Sequence, residues 1–158
     1  LKGKAWAGAN GDWVVYIGYN CEWELVNVYT RQRIPLPKIS ECPEVEHTDD
    51  LRTFKYDHGG CRLRKIAICR VPNRSWNYKN YEVVAIYNNL VAFLTSTPRW
   101  ILLKNQFLFM DEYYDAIQYE GLVFAATTRG TVFAWDPRSF GTFVFHRNCN
   151  CFIHMHAS

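Results

Sequence analysis

The sequence is cut into short apolar runs by residues that favour tight turns, and this limits what the chain can fold into more than anything else in it. Residues 113–136 show the pattern best: Asp115–Tyr119, Leu122–Thr127 and Thr131–Trp135 are separated only by Glu120-Gly121 and by Thr128-Arg129-Gly130. Each run is too short for a stable helix and long enough for a strand. Three strands joined by two tight turns make an antiparallel meander. Six Trp, ten Tyr and ten Phe suit such strands, because flat rings pack well on a pleated surface.

The pattern recurs along the chain. Trp13–Gly18 and Glu24–Tyr29 are expected to pair, with Ile34-Pro35-Leu36-Pro37 ending that unit, since proline lacks a ladder donor. Residues 38–60 read as a long loop. Arg64–Arg70, Glu82–Tyr87, Leu90–Thr95 and Trp100–Leu103 follow, with Asn88-Asn89 as a hairpin turn. Phe143–His146 and Phe152–His156 are further candidate strands. Helix is scarce. Phe107, Met110, Tyr114 and Ile117 have roughly helical spacing, so Phe107–Gln118 is the one place where a helical turn is expected.

Groups of three or four strands with turns every 8–12 residues indicate a sandwich, a barrel or a propeller. A propeller blade takes ~40–45 residues and four antiparallel strands. That spacing fits groups at 6–37, 64–103 and 113–136, followed by a divergent tail at 137–158. The expectation is a single all-β, propeller-like domain over 1–158, a partial propeller of about three to four blades. Trp13, Trp23, Trp100 and Trp135 are expected to pack between blades.

The ordered set of strands also carries a resemblance. Gly11-Asp12-Trp13-Val14-Val15 is followed by Glu24–Thr30 leading into Ile34-Pro35-Leu36-Pro37. Then come Lys65–Ile68, Tyr81–Tyr87 and Leu90–Phe93, and finally Tyr114–Gly121 with Gly130–Asp136. Over most of 11–136 the chain resembles the plant F-box-associated β-propeller family. The resemblance implies a propeller that binds a protein target, and a substrate receptor of a ubiquitin ligase when an F-box is present. No F-box is seen in this sequence, and it ends 22 residues after Asp136 where members of the family usually continue into further blades, so a truncated member of about half a propeller is expected. Such a member would associate with a protein partner or with itself, or act as a decoy of a full-length relative.

Other chemistry has weaker support. Cys149, Cys151, His154 and His156 are the residue types zinc prefers, and soft sulfur also suits copper. On one strand, however, the two thiols and the two imidazoles fall on opposite faces. No cofactor is therefore expected, and the tail remains the metal-binding or enzymatic alternative. Residues 52–79 are basic beside an acidic stretch at 41–50, and Arg74–Lys79 interleaves cations with rings as single-strand binders do. A net charge of only +3 argues against nucleic-acid binding. Asp57-His58-Gly59-Gly60 reads as a polar glycine turn. With no phosphate loop or nucleophile elbow, an enzyme is not expected.

No apolar run approaches the ~18 residues of a membrane helix. The six cysteines are mostly scattered and read as reduced thiols, placing the protein in the cytoplasm or nucleus. The sequon Asn73-Arg74-Ser75 is the only hint of secretion. Candidate partner-binding residues are Trp6, Trp76, Tyr78, Tyr113, Tyr114 and Arg129, rings and a cation in loops or at strand ends.

Overall fold

In a computed structural model the described residues are 5–18, 22–39, 63–73, 80–87, 90–95, 99–103, 112–139, 142–145 and 153–155. They form three antiparallel sheets. The first holds β1 (Ala5–Asn10), β2 (Trp13–Ile17), β3 (Trp23–Asn27) and β4 (Arg33–Leu36), each hydrogen-bonded to the next. The second holds β5 (Leu63–Arg70), β6 (Glu82–Tyr87), β7 (Leu90–Leu94) and β8 (Trp100–Leu103). The third holds β9 (Tyr113–Tyr119), β10 (Leu122–Thr127), β11 (Val132–Trp135), β12 (Thr142–Phe145) and β13 (Ile153–Met155).

The second sheet lies between the other two, and the alternation of its side chains shows why. Val83, Ala85 and Tyr87 of β6, Ala92 and Leu94 of β7 and Trp100 of β8 pack against the first sheet. Val84, Ile86, Val91, Phe93 and Leu103, from the opposite face, pack against the third. A strand buried on both faces has no reason to alternate apolar with polar residues. Hence Glu-Val-Val-Ala-Ile-Tyr and Leu-Val-Ala-Phe-Leu are almost unbroken apolar runs. In the outer sheets alternation does occur: β10 reads half-buried and buried in turn from Leu122 to Thr127.

The first strands of the sheets, β1, β5 and β9, lie side by side and run in the same direction. Asn10 Nδ2 donates to the Ile68 carbonyl at 2.8 Å. Further along, an Arg64 guanidinium N–H donates to the Tyr113 carbonyl at 3.1 Å, and Lys65 pairs with Asp115. Parallel inner strands with meanders radiating from them are the arrangement of three successive propeller blades. Aromatic rings fill the joints. Trp23 meets Trp100 edge-on at 5.5 Å and Tyr87 at 6.1 Å, and Trp100 Nε1 donates to the Pro37 carbonyl at 2.7 Å.

Several expectations need correction. The helical turn expected over Phe107–Gln118 is not formed by its described part: residues 113–118 belong to β9, and residues 107–111 lie outside the described residues. Spacing alone mistook a half-buried strand with a register shift opposite Ala126 and Thr127 for a helix. Strand β1, small and weakly patterned in sequence, had no assignment of its own. Ile34-Pro35-Leu36-Pro37 does end the first unit, but as part of its last strand: β4 runs to Leu36, and Pro35 sits inside it, opposite Glu24. An edge strand tolerates a residue without an N–H. The stretch set apart as a tail supplies β12 and β13, close to the candidate strands Phe143–His146 and Phe152–His156, and these join the third sheet, which has five strands. The 38–60 loop, apart from its first two residues, lies outside the described residues, as do Asn88 and Asn89.

Candidate protein-recognition surface

Because the inner strands run parallel, every connecting turn falls at one of two ends. The proximal end, where β1, β5 and β9 begin, carries the β10–β11 turn and the start of β9. The distal end, where they finish, carries the β1–β2, β3–β4 and β9–β10 turns.

At the proximal end the chain separates two adjacent tyrosines. Tyr113 is 6% exposed and points inward, meeting Phe133 at 5.8 Å and Trp135 at 6.1 Å, both edge-on. Its assignment as a partner-binding residue is therefore corrected: it is a core ring between the second and third blades. Tyr114, the next residue, is 54% exposed. Two ion pairs between blades frame it. Both Nη atoms of Arg64 lie 2.9 Å from Glu112 Oε2, and Lys65 Nζ lies 2.7 Å from Asp115 Oδ1. The β10–β11 turn is tied to the same place by Thr128 N–H, which donates to the Glu112 carbonyl at 2.9 Å. Thr127 Oγ1 accepts from Thr131 N–H at 3.2 Å and closes the turn from within. Exposed Arg129 sits at its tip. Tyr114 and Arg129 thus share one end, on backbone fixed by hydrogen bonds.

Trp6 lies on β1 opposite Tyr16. Trp76 and Tyr78 lie outside the described residues, as does all of Arg74–Lys79. Three cations of the basic stretch are described, and each faces an acid: Arg64 with Glu112, Lys65 with Asp115, Arg70 with Glu82. Cys149, Cys151 and His156 lie outside the described residues, and the backbone of His154 pairs with Phe143 in the β12–β13 ladder. Among the described residues no three His, Cys, Asp or Glu side chains gather to hold a metal ion. The Asp57–Gly60 turn is also outside them.

At the distal end a cleft of about 270 Å³ opens between the second and third blades, with Cys69, Arg70, Glu82, Gln118, Tyr119 and Arg138 among its lining. Cys69 is a free, half-buried thiol. Burial pushes its pKa from the ordinary 9.0 to about 11, partly opposed by a hydrogen bond with the Gln118 backbone. At neutral pH it is a protonated, poorly nucleophilic group. Beside the cleft, the Asp136 carboxylate accepts from Arg138 N–H at 2.9 Å and Ser139 Oγ–H at 2.8 Å. These bonds hold its pKa below the usual carboxylate value.

The distal end also holds a ring that sequence reasoning missed. Tyr29 was placed at the end of a strand, but it is the tip of the β3–β4 turn and 78% exposed. The signal available was Asn27, an amide that commonly bonds backbone two and three residues on and so ends a strand.

A family model described as KIB1-4 beta-propeller matches residues 1–151. No curated protein matches the sequence. With three successive blades formed by the described residues and a match that spans nearly the whole sequence, the chain belongs to the KIB1-4 beta-propeller family.

Proposed function

We propose that this chain is a non-enzymatic protein-recognition module that binds a protein target through the loops joining its blade strands. The observation that carries this is that exposed Tyr114 and exposed Arg129 lie at the same proximal end, which is braced by inter-blade ion pairs. Tyr and Arg supply much of the binding energy at protein interfaces, and side chains on fixed backbone lose little entropy on docking. When an F-box accompanies the propeller, the bound protein is a substrate presented to a ubiquitin ligase, in the cytoplasm or nucleus of a plant cell. Without one, the same surface competes for that substrate as a decoy. Affinity capture with purified chain tests this. A protein retained in stoichiometric amount by the wild type, and lost with Tyr114→Ala plus Arg129→Ala, is the expected result. No protein retained, or one retained equally by the double variant, counts against it.

One observation favours association through a blade face as a second mode. On the side of the third sheet turned away from the second, Ile117 is 53% and Tyr119 62% exposed, beside half-buried Leu122, Phe124 and Val132. A face of this kind is a place where another protein or a second copy docks.

A further inference from the structure

The β3–β4 turn is unusual in pointing two large apolar side chains into solvent from rigid backbone. Val28 is 51% and Tyr29 78% exposed. Beneath them the buried Asn27 Oδ1 accepts from Tyr29 N–H at 3.0 Å and Thr30 N–H at 2.9 Å. Arg31 N–H donates to the Asn27 carbonyl, Asn27 N–H to the Gln32 carbonyl and Val28 N–H to the Asp12 carbonyl, each at 2.9 Å. The last bond ties this turn to the β1–β2 turn. Arg31 is held at φ +59°, a region that non-glycine residues enter only when the surroundings enforce it.

Charge adds direction. Arg31 is exposed and forms no ion pair among the described residues, whereas Arg33 below it is spent on Glu24 at 3.3 Å. Of the described acids in this sheet, Glu24 is held by Arg33, and Asp12 bonds the turn through its carbonyl. A surface that buries the Tyr29 ring therefore meets a cation beside it. A tyrosine has few rotatable bonds, so its contact area is gained at low entropic cost, and a pre-set turn lowers that cost further.

We propose that the β3–β4 turn is a second, distal recognition element, which seats Tyr29 and Val28 in an apolar socket of a partner protein and Arg31 against a carboxylate on the socket's rim. It rests on the protein-recognition reading above, but it lies at the opposite end of the blades from Tyr114 and Arg129.

The test is selection of binders from a displayed library of random peptides against the immobilised full chain. The expected peptides combine a large apolar residue with Asp or Glu. Their affinity falls about tenfold or more with Tyr29→Ala, since a buried interface tyrosine carries energy of that order. It falls measurably with Arg31→Asn, which removes the charge while suiting the positive φ. Asn27→Ala, which loosens the turn but keeps the contacting side chains, weakens binding by about threefold if the turn is pre-organised. Circular dichroism confirms that each variant is folded. The proposal is overturned if no peptide is recovered, or if the recovered peptides bind Tyr29→Ala and Arg31→Asn as they bind the wild type. Peptides lost only with Tyr114→Ala overturn it while leaving the protein-recognition reading standing. That broader reading fails separately, when affinity capture retains no protein.

Discussion

A Cβ on Gly8 would sit 2.7 Å from the carbonyl oxygen of Ile66. Real Cβ atoms do not come so close to a backbone oxygen, so β1 reaches β5 only because residue 8 has no side chain. Gly8→Ala forces the two inner strands apart. The expected cost is about 1–3 kcal/mol, the usual range for overpacking a fixed site. A chemical-denaturation midpoint unchanged by the substitution is the outcome that contradicts this close approach.

Two isoleucines separate the closed joint from the open face. Ile86 is fully buried between the second and third blades, whereas Ile117 is half exposed on the far side of the third. Ile86→Ala removes buried methylenes and leaves a cavity, at an expected cost of about 2–5 kcal/mol. Ile117→Ala is expected to stay within about 0.5 kcal/mol, as for a surface site. Urea titrations of the two variants compare them directly, and equal costs contradict the burial described.

Asn27 anchors the β3–β4 turn with one side-chain oxygen and two backbone donors. Removing that oxygen leaves both N–H groups to find other partners. Asn27→Ala is expected to destabilise by about 1–2 kcal/mol. Faster amide exchange at Tyr29 and Thr30, with the rest of the sheet unchanged, is the local signature to look for.

Cys69 responds to pH in one direction. Its folded pKa, near 11, lies above the ordinary 9.0 because burial disfavours the thiolate. Below pH 9 both folded and unfolded thiols are protonated, and the shift has no effect on stability. Between pH 9 and 11 the unfolded thiol ionises first, so its contribution to stability declines as pH rises. Alkylation of Cys69 at pH 8, followed by peptide mass spectrometry, should be at least about tenfold slower in the native chain than in the unfolded one. Similar rates in the two states disprove the burial of this thiol.

Turn chemistry and strand length were legible in the sequence because both are local. Glu120-Gly121 turns with φ +49° and +82°, as a two-residue hairpin requires, and the strands on either side pair in register from Leu122 to Ala126. The unbroken apolar runs of β6 and β7 were equally plain as strands. That they are buried on both sides became clear only with a blade on each side of them. What the sequence did not reveal depends on neighbours distant along the chain. Tyr113 and Tyr114 are the same residue type at adjacent positions. One is core and the other surface because a pleated strand sends successive side chains to opposite faces, and only the second blade decides which face is covered. The Ile34–Pro37 segment read as the end of the first unit and is its end, but that Pro35 lies within an edge strand is decided by the sheet order. The glycine at position 8 read as an ordinary small residue because Ile66 lies 58 residues away along the chain. The sequence by itself determined which segments are strands and where many of them turn, through alternation, turn residues and backbone freedom. The tertiary structure decided which side chains remain free for a partner, because exposure is set by the packing of one blade against the next.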